Sequence, residues 1–183
     1  MAKNSIGLIE LTSIASGFQC CDAMLKAADV DLVVSRSICS GKYMVLIRGD
    51  VAAVQASVSA GRSAGNFSVI DSFVIPNLHE SVFPAIAGNS KVERMEALGI
   101  IESFSVAALI EGADAAVKAA NVELIEIRLA MALGGKAFAT FTGDVAAVQA
   151  SVEAGAQVVG QKGMLVNKVV IPYPRPELLR EMI

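Results

Sequence analysis

The chain has no tryptophan, one histidine, five prolines and three cysteines in 183 residues, and each scarcity removes a class of chemistry. His79 has no acid or nucleophile pattern around it and reads as a solvated loop residue, so no histidine-centred acid–base machinery is expected. Cys20, Cys21 and Cys39 cannot pair completely within one chain and form no CxxC, which predicts neither a disulfide framework nor a zinc site of the usual spacing. Gly134-Gly135-Lys136 lacks the rest of a phosphate-cradling loop, and no GxGxxG follows a strand. Together these gaps predict a protein that is not an enzyme.

Long apolar runs are missing too, although hydrophobic residues make up 54% of the chain and the mean hydropathy is +0.58. No stretch between charged residues exceeds eleven positions, well short of the roughly 20 apolar residues of a membrane-spanning helix, so no membrane partner is expected. Glu10 in the opening MAKNSIGLIEL interrupts the apolar core that an export signal needs, which predicts a cytoplasmic protein. A net charge of −3 and a pI near 5.2 supply no basic face for nucleic acid. The surplus apolar surface must then be buried within the fold or, as two small domains suggest, between subunits.

The dominant positive feature is a duplication. GDVAAVQASV runs from Gly49 to Val58 and again, letter for letter, from Gly143 to Val152. The flanks agree: Leu8-Ile9-Glu10 answers Ile100-Ile101-Glu102, DAMLKAADV from Asp22 answers DAAVKAANV from Asp114, and Val74-Ile75-Pro76 answers Val170-Ile171-Pro172. Two tandem domains are predicted, over 1–88 and 97–183, with the linker inside 77–94.

Each copy reads as strand, helix, strand, strand, helix, strand, the order of the ferredoxin-like split βαβ unit and an α+β fold. Ser5 to Leu11 is the first strand. Ile14, Phe18, Cys21, Leu25 and Ala28 mark one helix face, repeated by Val106, Ile110, Ala113, Val117 and Ala120. Cys21 thus reads as core, and Cys20 lies off the stripe. Val30 to Ile38 and Tyr43 to Arg48 form a hairpin around Cys39-Ser40-Gly41-Lys42, answered by Val122 to Ala132 and Ala137 to Thr142. Asp50 and Asp144 sit at helix N-caps, and the two helices they open carry Val51, Val54 and Val58, and Val145, Val148 and Val152, along one face. Phe67 to Ile75 and Met164 to Ile171 close the copies, and a short apolar piece comes after each, Leu78 to Ile86 and Pro176 to Ile183.

Cys39 stands apart, because a thiol at a polar hairpin tip is exposed where structural cysteines are buried. By itself it is a weak signal. Symmetry changes its meaning: three chains of two similar domains can close a sixfold-like ring, and a residue near its axis then appears three times. Three crowded thiolates need a cation to neutralise them, and an iron–sulfur cluster takes cysteine ligands almost exclusively.

The blocks GLIEL, DAMLKAADV, SICSGK and GDVAAVQASV, in order and nearly all repeated, resemble the bacterial microcompartment shell domain. The tandem arrangement is similar to the trimeric shell proteins that mimic a hexagonal tile, and Ser37-Ile38-Cys39-Ser40-Gly41-Lys42 is similar to the pore loop of the iron–sulfur shell proteins of propanediol-utilisation type. The resemblance implies a homotrimeric, pseudohexameric tile in a microcompartment shell. Its partners would be other shell proteins edge to edge and a redox partner. One [4Fe-4S] cluster per trimer would be held by Cys39 and would move electrons across the shell. It also marks Lys26 and Lys118 as tile-edge lysines. Ser40 stands where proline is expected, and the second copy offers Met131 near the position of Cys39. Two other functions compete: a metal-free tile whose pore conducts small metabolites, and a cytoplasmic small-molecule-binding sensor.

Overall fold

A computed structural model describes residues 4–90, 92, 95–130 and 133–180. The elements run β1 (Ser5–Leu11), α1 (Ile14–Ala27), β2 (Asp31–Ile38), β3 (Lys42–Gly49), α2 (Val51–Gly65), β4 (Val69–Ile75) and α3 (Val82–Ala87). The second copy gives β5 (Ala97–Ser103), α4 (Val106–Ala119), β6 (Glu123–Arg128), β7 (Ala137–Gly143), α5 (Val145–Gln161), β8 (Leu165–Pro172) and α6 (Pro176–Arg180). Each copy builds a four-stranded sheet, ordered β2-β3-β1-β4 and β6-β7-β5-β8, antiparallel throughout. Sheet order and helix placement are those of the expected α+β unit. The chain divides into two compact units, Met1–Leu78 with Ala130–Gly135, and His79–Leu129 with Lys136–Ile183.

The repeated decamer is a capped helix in both copies. Asp50 Oδ1 accepts from Ala53 N at 2.8 Å, and Asp144 Oδ1 from Ala147 N at 2.8 Å. Each cap satisfies a donor that the first helical turn leaves without an intrahelical partner. The helices rest on glycines of the central strands. A Cβ on Gly7 would lie 2.6 Å from Val58 and 2.7 Å from Val54, and one on Gly99 at the same distances from Val152 and Val148. That close approach explains why valines recur at these positions. Val51, expected on the same face, is exposed in the first turn.

In the first unit, Ile9, Leu11, Cys20, Cys21, Met24, Tyr43, Val45, Ile47, Val54 and Val58 form one core cluster. The face that α1 buries is Gly17, Cys20, Cys21 and Met24, while Ile14, Phe18 and Leu25 are exposed. The sequence stripe has the right period but lies roughly a quarter turn from the buried face, at about 100° per residue. Gly17 sets the phase: a Cβ there would meet the Tyr43 ring at 2.3 Å, so the helix settles with that side against β3. In the second unit the stripe Val106, Ile110, Ala113 and Val117 is buried as expected.

Two further corrections concern the linker and β6. The 77–94 stretch contains α3, whose Val82 and Ala85 are buried, and it packs on β6 and α4. His79 is half-buried rather than solvated. Its N donates to Asp114 Oδ1 at 2.8 Å, and its Nδ1 lies 2.8 Å from Ser81 Oγ. β6 ends at Arg128 rather than at Ala132, because Ala130 takes a positive φ of 44° that a strand cannot hold; Ala132 lies outside the described residues.

Candidate metal centre

Cys39 is carried by the β2–β3 hairpin, whose last registered pairs are Ser37 with Tyr43 and Ile38 with Lys42. Between them Cys39–Gly41 make a tight left-handed turn, with Ser40 at φ 65°, ψ 27° and Gly41 at φ 71°. The buried Ile38 anchors one side of the turn, Ser37 and Ser40 are exposed, and Cys39 is half-buried. A proline could not keep this turn, since its ring holds φ near −65°. Serine at this position therefore goes with a left-handed loop that the proline expected from the family would not form.

The loop is braced twice. Cys39 N donates to Ala130 O at 2.9 Å, and a Cβ on Gly135 would lie 3.4 Å from Ser40 Oγ. Residues 130–135 accordingly belong to the first compact unit. Lys42, where β3 leaves the turn, donates from Nζ to Glu10 Oε1 at 2.8 Å. Glu10 lies in a strand buried along its whole length and its side chain is only 2% exposed, against 29% for Lys42. The second copy repeats the pair as Lys136 to Glu102 at 2.6 Å. Sequence reasoning missed this pair. Its signal was an acid inside both apolar strands, matched by a lysine at both hairpin tips.

The other thiols lie in the core. Cys20 is fully buried, with Sγ 3.7 Å from Met24 Sδ. Burial, with the neighbouring Cys21 adding to it, pushes its pKa up to about 11, so it holds its proton and is neither a nucleophile nor a ready ligand. Among the described residues, no group of three or more His, Cys, Asp or Glu side chains could hold a metal ion. Of the three cysteines only Cys39 lies outside the core, and a single thiol fits a cluster only where several chains bring Cys39 together. Met131 lies outside the described residues.

Lys26 and Lys118 occupy matching places in the last turns of α1 and α4, where a cation suits the helix dipole. Lys26 pairs with Asp22 at 2.6 Å and Lys118 with Asp114 at 2.5 Å. Both amines remain substantially exposed. Among the described residues, no helix is long and apolar enough to cross a membrane.

Comparison with known proteins places this arrangement. The family described as the BMC domain matches residues 5–78 and 97–174. The chain is 46% identical, over 181 residues, to the bacterial microcompartment shell protein PduT of Citrobacter freundii, covering 99% of this chain and 98% of that protein. It is 46% identical over 84 residues to the shell protein EutM of Salmonella typhimurium strain LT2, 46% of this chain and 85% of that one. A crystal structure of a microcompartment protein from Desulfitobacterium hafniense DCB superposes with a TM-score of 0.92 at 54% identity, covering 98% of this chain and 99% of the other. The chain belongs to the BMC-domain family: it is a tandem-domain, PduT-like shell protein of a bacterial microcompartment, structural and not catalytic.

Proposed function

We propose that three chains close into a ring of six BMC domains, two from each chain over 1–88 and 97–183, that forms a pseudohexameric tile. In this reading three Cys39 thiolates meet at the threefold axis and hold one [4Fe-4S] cluster, and the tile carries electrons across the shell to or from a redox partner. The observation that carries it is the separation of the thiols: Cys20 and Cys21 are buried in the core, whereas Cys39 stands on a hairpin tip. A single accessible thiol becomes a ligand set by threefold repetition, with no further donor required from the chain. When bound, the cluster supplies one-electron redox chemistry, with one iron left without a cysteine. The chain's own part is mechanical. The left-handed turn at Ser40 and Gly41 presents the thiol, Ile38 fixes the hairpin, and Glu10 holds Lys42 so that its charge is neutralised beside the loop. Lys26 and Lys118 would stand at the tile edge and meet neighbouring shell proteins.

The test is iron and acid-labile sulfide on anaerobically purified protein, with Cys39→Ala alongside. About four irons for every three chains are expected in the parent and near none in the variant. Iron near none in both would overturn the cluster and leave a metal-free tile, and equal iron above that level would overturn Cys39 as its ligand.

A further inference from the structure

The two copies differ in one respect that their sequences do not announce. In the second unit, Val106, Ile110, Val117 and Leu124 are buried on the outer face of α4 and β6. The matching face of the first unit, Ile14, Phe18, Leu25 and Leu32, is exposed. Phe18 is 64% exposed where Ile110 is 0%, and Leu32 is 45% exposed where Leu124 is 3%. Asp22 is likewise exposed where Asp114 is buried. Four large apolar side chains on one helix–strand face are more than isolated surface residues, and such a patch marks an interaction site.

In the second unit the segment after β4 lies over the β6 side of this face, beside Asp114. α3 sits on β6 and α4 with Val82 fully buried, and His79 N donates to Asp114. The duplication supplies the same segment after β8. Aligned on Pro76 and Pro172, Leu178 of α6 answers Val82, and Arg175 answers His79. Within the chain Leu178 is 37% exposed and Arg175 pairs loosely with Glu177, at 3.5 Å. Among the described residues, an apolar seat without its segment and a segment without its seat thus occur in one polypeptide.

We infer that the 173–180 segment of one chain docks on the α1–β2 face of the next, with Leu178 against Phe18, Leu25 and Leu32 and Arg175 beside Asp22. The occupant is a second copy of this chain, because the repeat's own segment sits on the equivalent face of the second unit and because Arg175 places a cation where Asp22 is an acid. The contact runs head to tail, each chain giving one segment and receiving one, so it closes only as a ring. The inference rests on the ring proposed above and names the strap that joins its members.

Leu178→Asp changes a residue exposed within the chain and should melt close to the parent at concentrations where all are dissociated. Phe18→Asp also loses a ring contact with Tyr43 at 5.2 Å and should fold with a somewhat lower melting point. Sedimentation equilibrium should give a trimer for the parent and a dissociation constant raised at least about tenfold for each variant, the scale of one lost apolar anchor. Asp22→Arg and Arg175→Asp should each weaken the trimer, and the double reversal should recover it. If the parent is a trimer and these variants associate as well as it does, the docking is wrong and the ring stands. Variants that stay trimeric but no longer form sheets would also refute it, by showing that the face meets neighbouring tiles. A parent that is not a trimer overturns the ring itself.

Discussion

Replacing Lys42 with methionine isolates the charge that braces the Cys39 loop. Nζ of Lys42 lies 2.8 Å from a Glu10 oxygen, and Glu10 is 2% exposed. At that separation and an effective dielectric constant of about 20, the attraction is worth about 6 kcal/mol before desolvation is subtracted. Lys42 is 29% exposed, so water screens part of this, while Glu10 has almost none to fall back on. Lys42→Met therefore leaves a carboxylate in the sheet without its counter-charge, and we expect it to cost about 3 kcal/mol. Glu10→Gln keeps an acceptor for the lysine, which can relax toward solvent, and should cost about 1 kcal/mol. The double variant should regain about half of the summed loss, a coupling of roughly 2 kcal/mol. Urea unfolding at one fixed protomer concentration measures all three, since association would otherwise shift the midpoints. Iron-free Lys42→Met should also show faster alkylation of Cys39, because β3 leaves the turn at this residue. Equal costs for the two single variants would refute the reasoning, since the asymmetry comes directly from which partner is buried.

Two further outcomes concern the packing of α1. The copies exchange bulk across helix and strand: Gly17 faces Tyr43 in the first, and Leu109 and Ala137 hold the matching places in the second. Gly17→Leu should cost about 3 kcal/mol by overpacking and Tyr43→Ala a similar amount by leaving a cavity, whereas the double variant should recover at least half of the summed loss in thermal melts. For Cys20, burial raises the pKa from 9.0 to about 11, so between these values the folded state holds a proton that the unfolded state has released. Stability from this group is present below pH 9 and is lost as pH rises toward 11, by roughly 2 to 3 kcal/mol at about 1.36 kcal/mol per unit. The difference between parent and Cys20→Ala in urea midpoints across that range reads it, and parallel pH profiles would contradict it.

Much of the fold is legible in the sequence. The repeated decamer declares two domains, Asp50 and Asp144 declare their caps, and Ser40-Gly41 declares the turn that carries Cys39, because each of these signals is local. The phase of α1 is not legible. Periodicity identifies an apolar face but not what lies opposite it, and α1 has two: one against its own sheet through Gly17, Cys20 and Met24, the other outward through Ile14, Phe18 and Leu25. The brace of Ala130 on Cys39 is hidden for a related reason, since it joins residues 91 positions apart through a carbonyl that no side-chain pattern reports. Glu10 is visible as an acid in an apolar strand, yet its partner is 32 residues away and emerges only when the strands are paired.

The central claim is that one cysteine per chain becomes a metal site by threefold repetition. Native mass spectrometry of anaerobically purified protein tests it most directly. The account predicts a single species with the mass of three chains and one [4Fe-4S] cluster, which becomes a cluster-free trimer in Cys39→Ala. A monomer or dimer, or a parent trimer that carries no cluster, would contradict it.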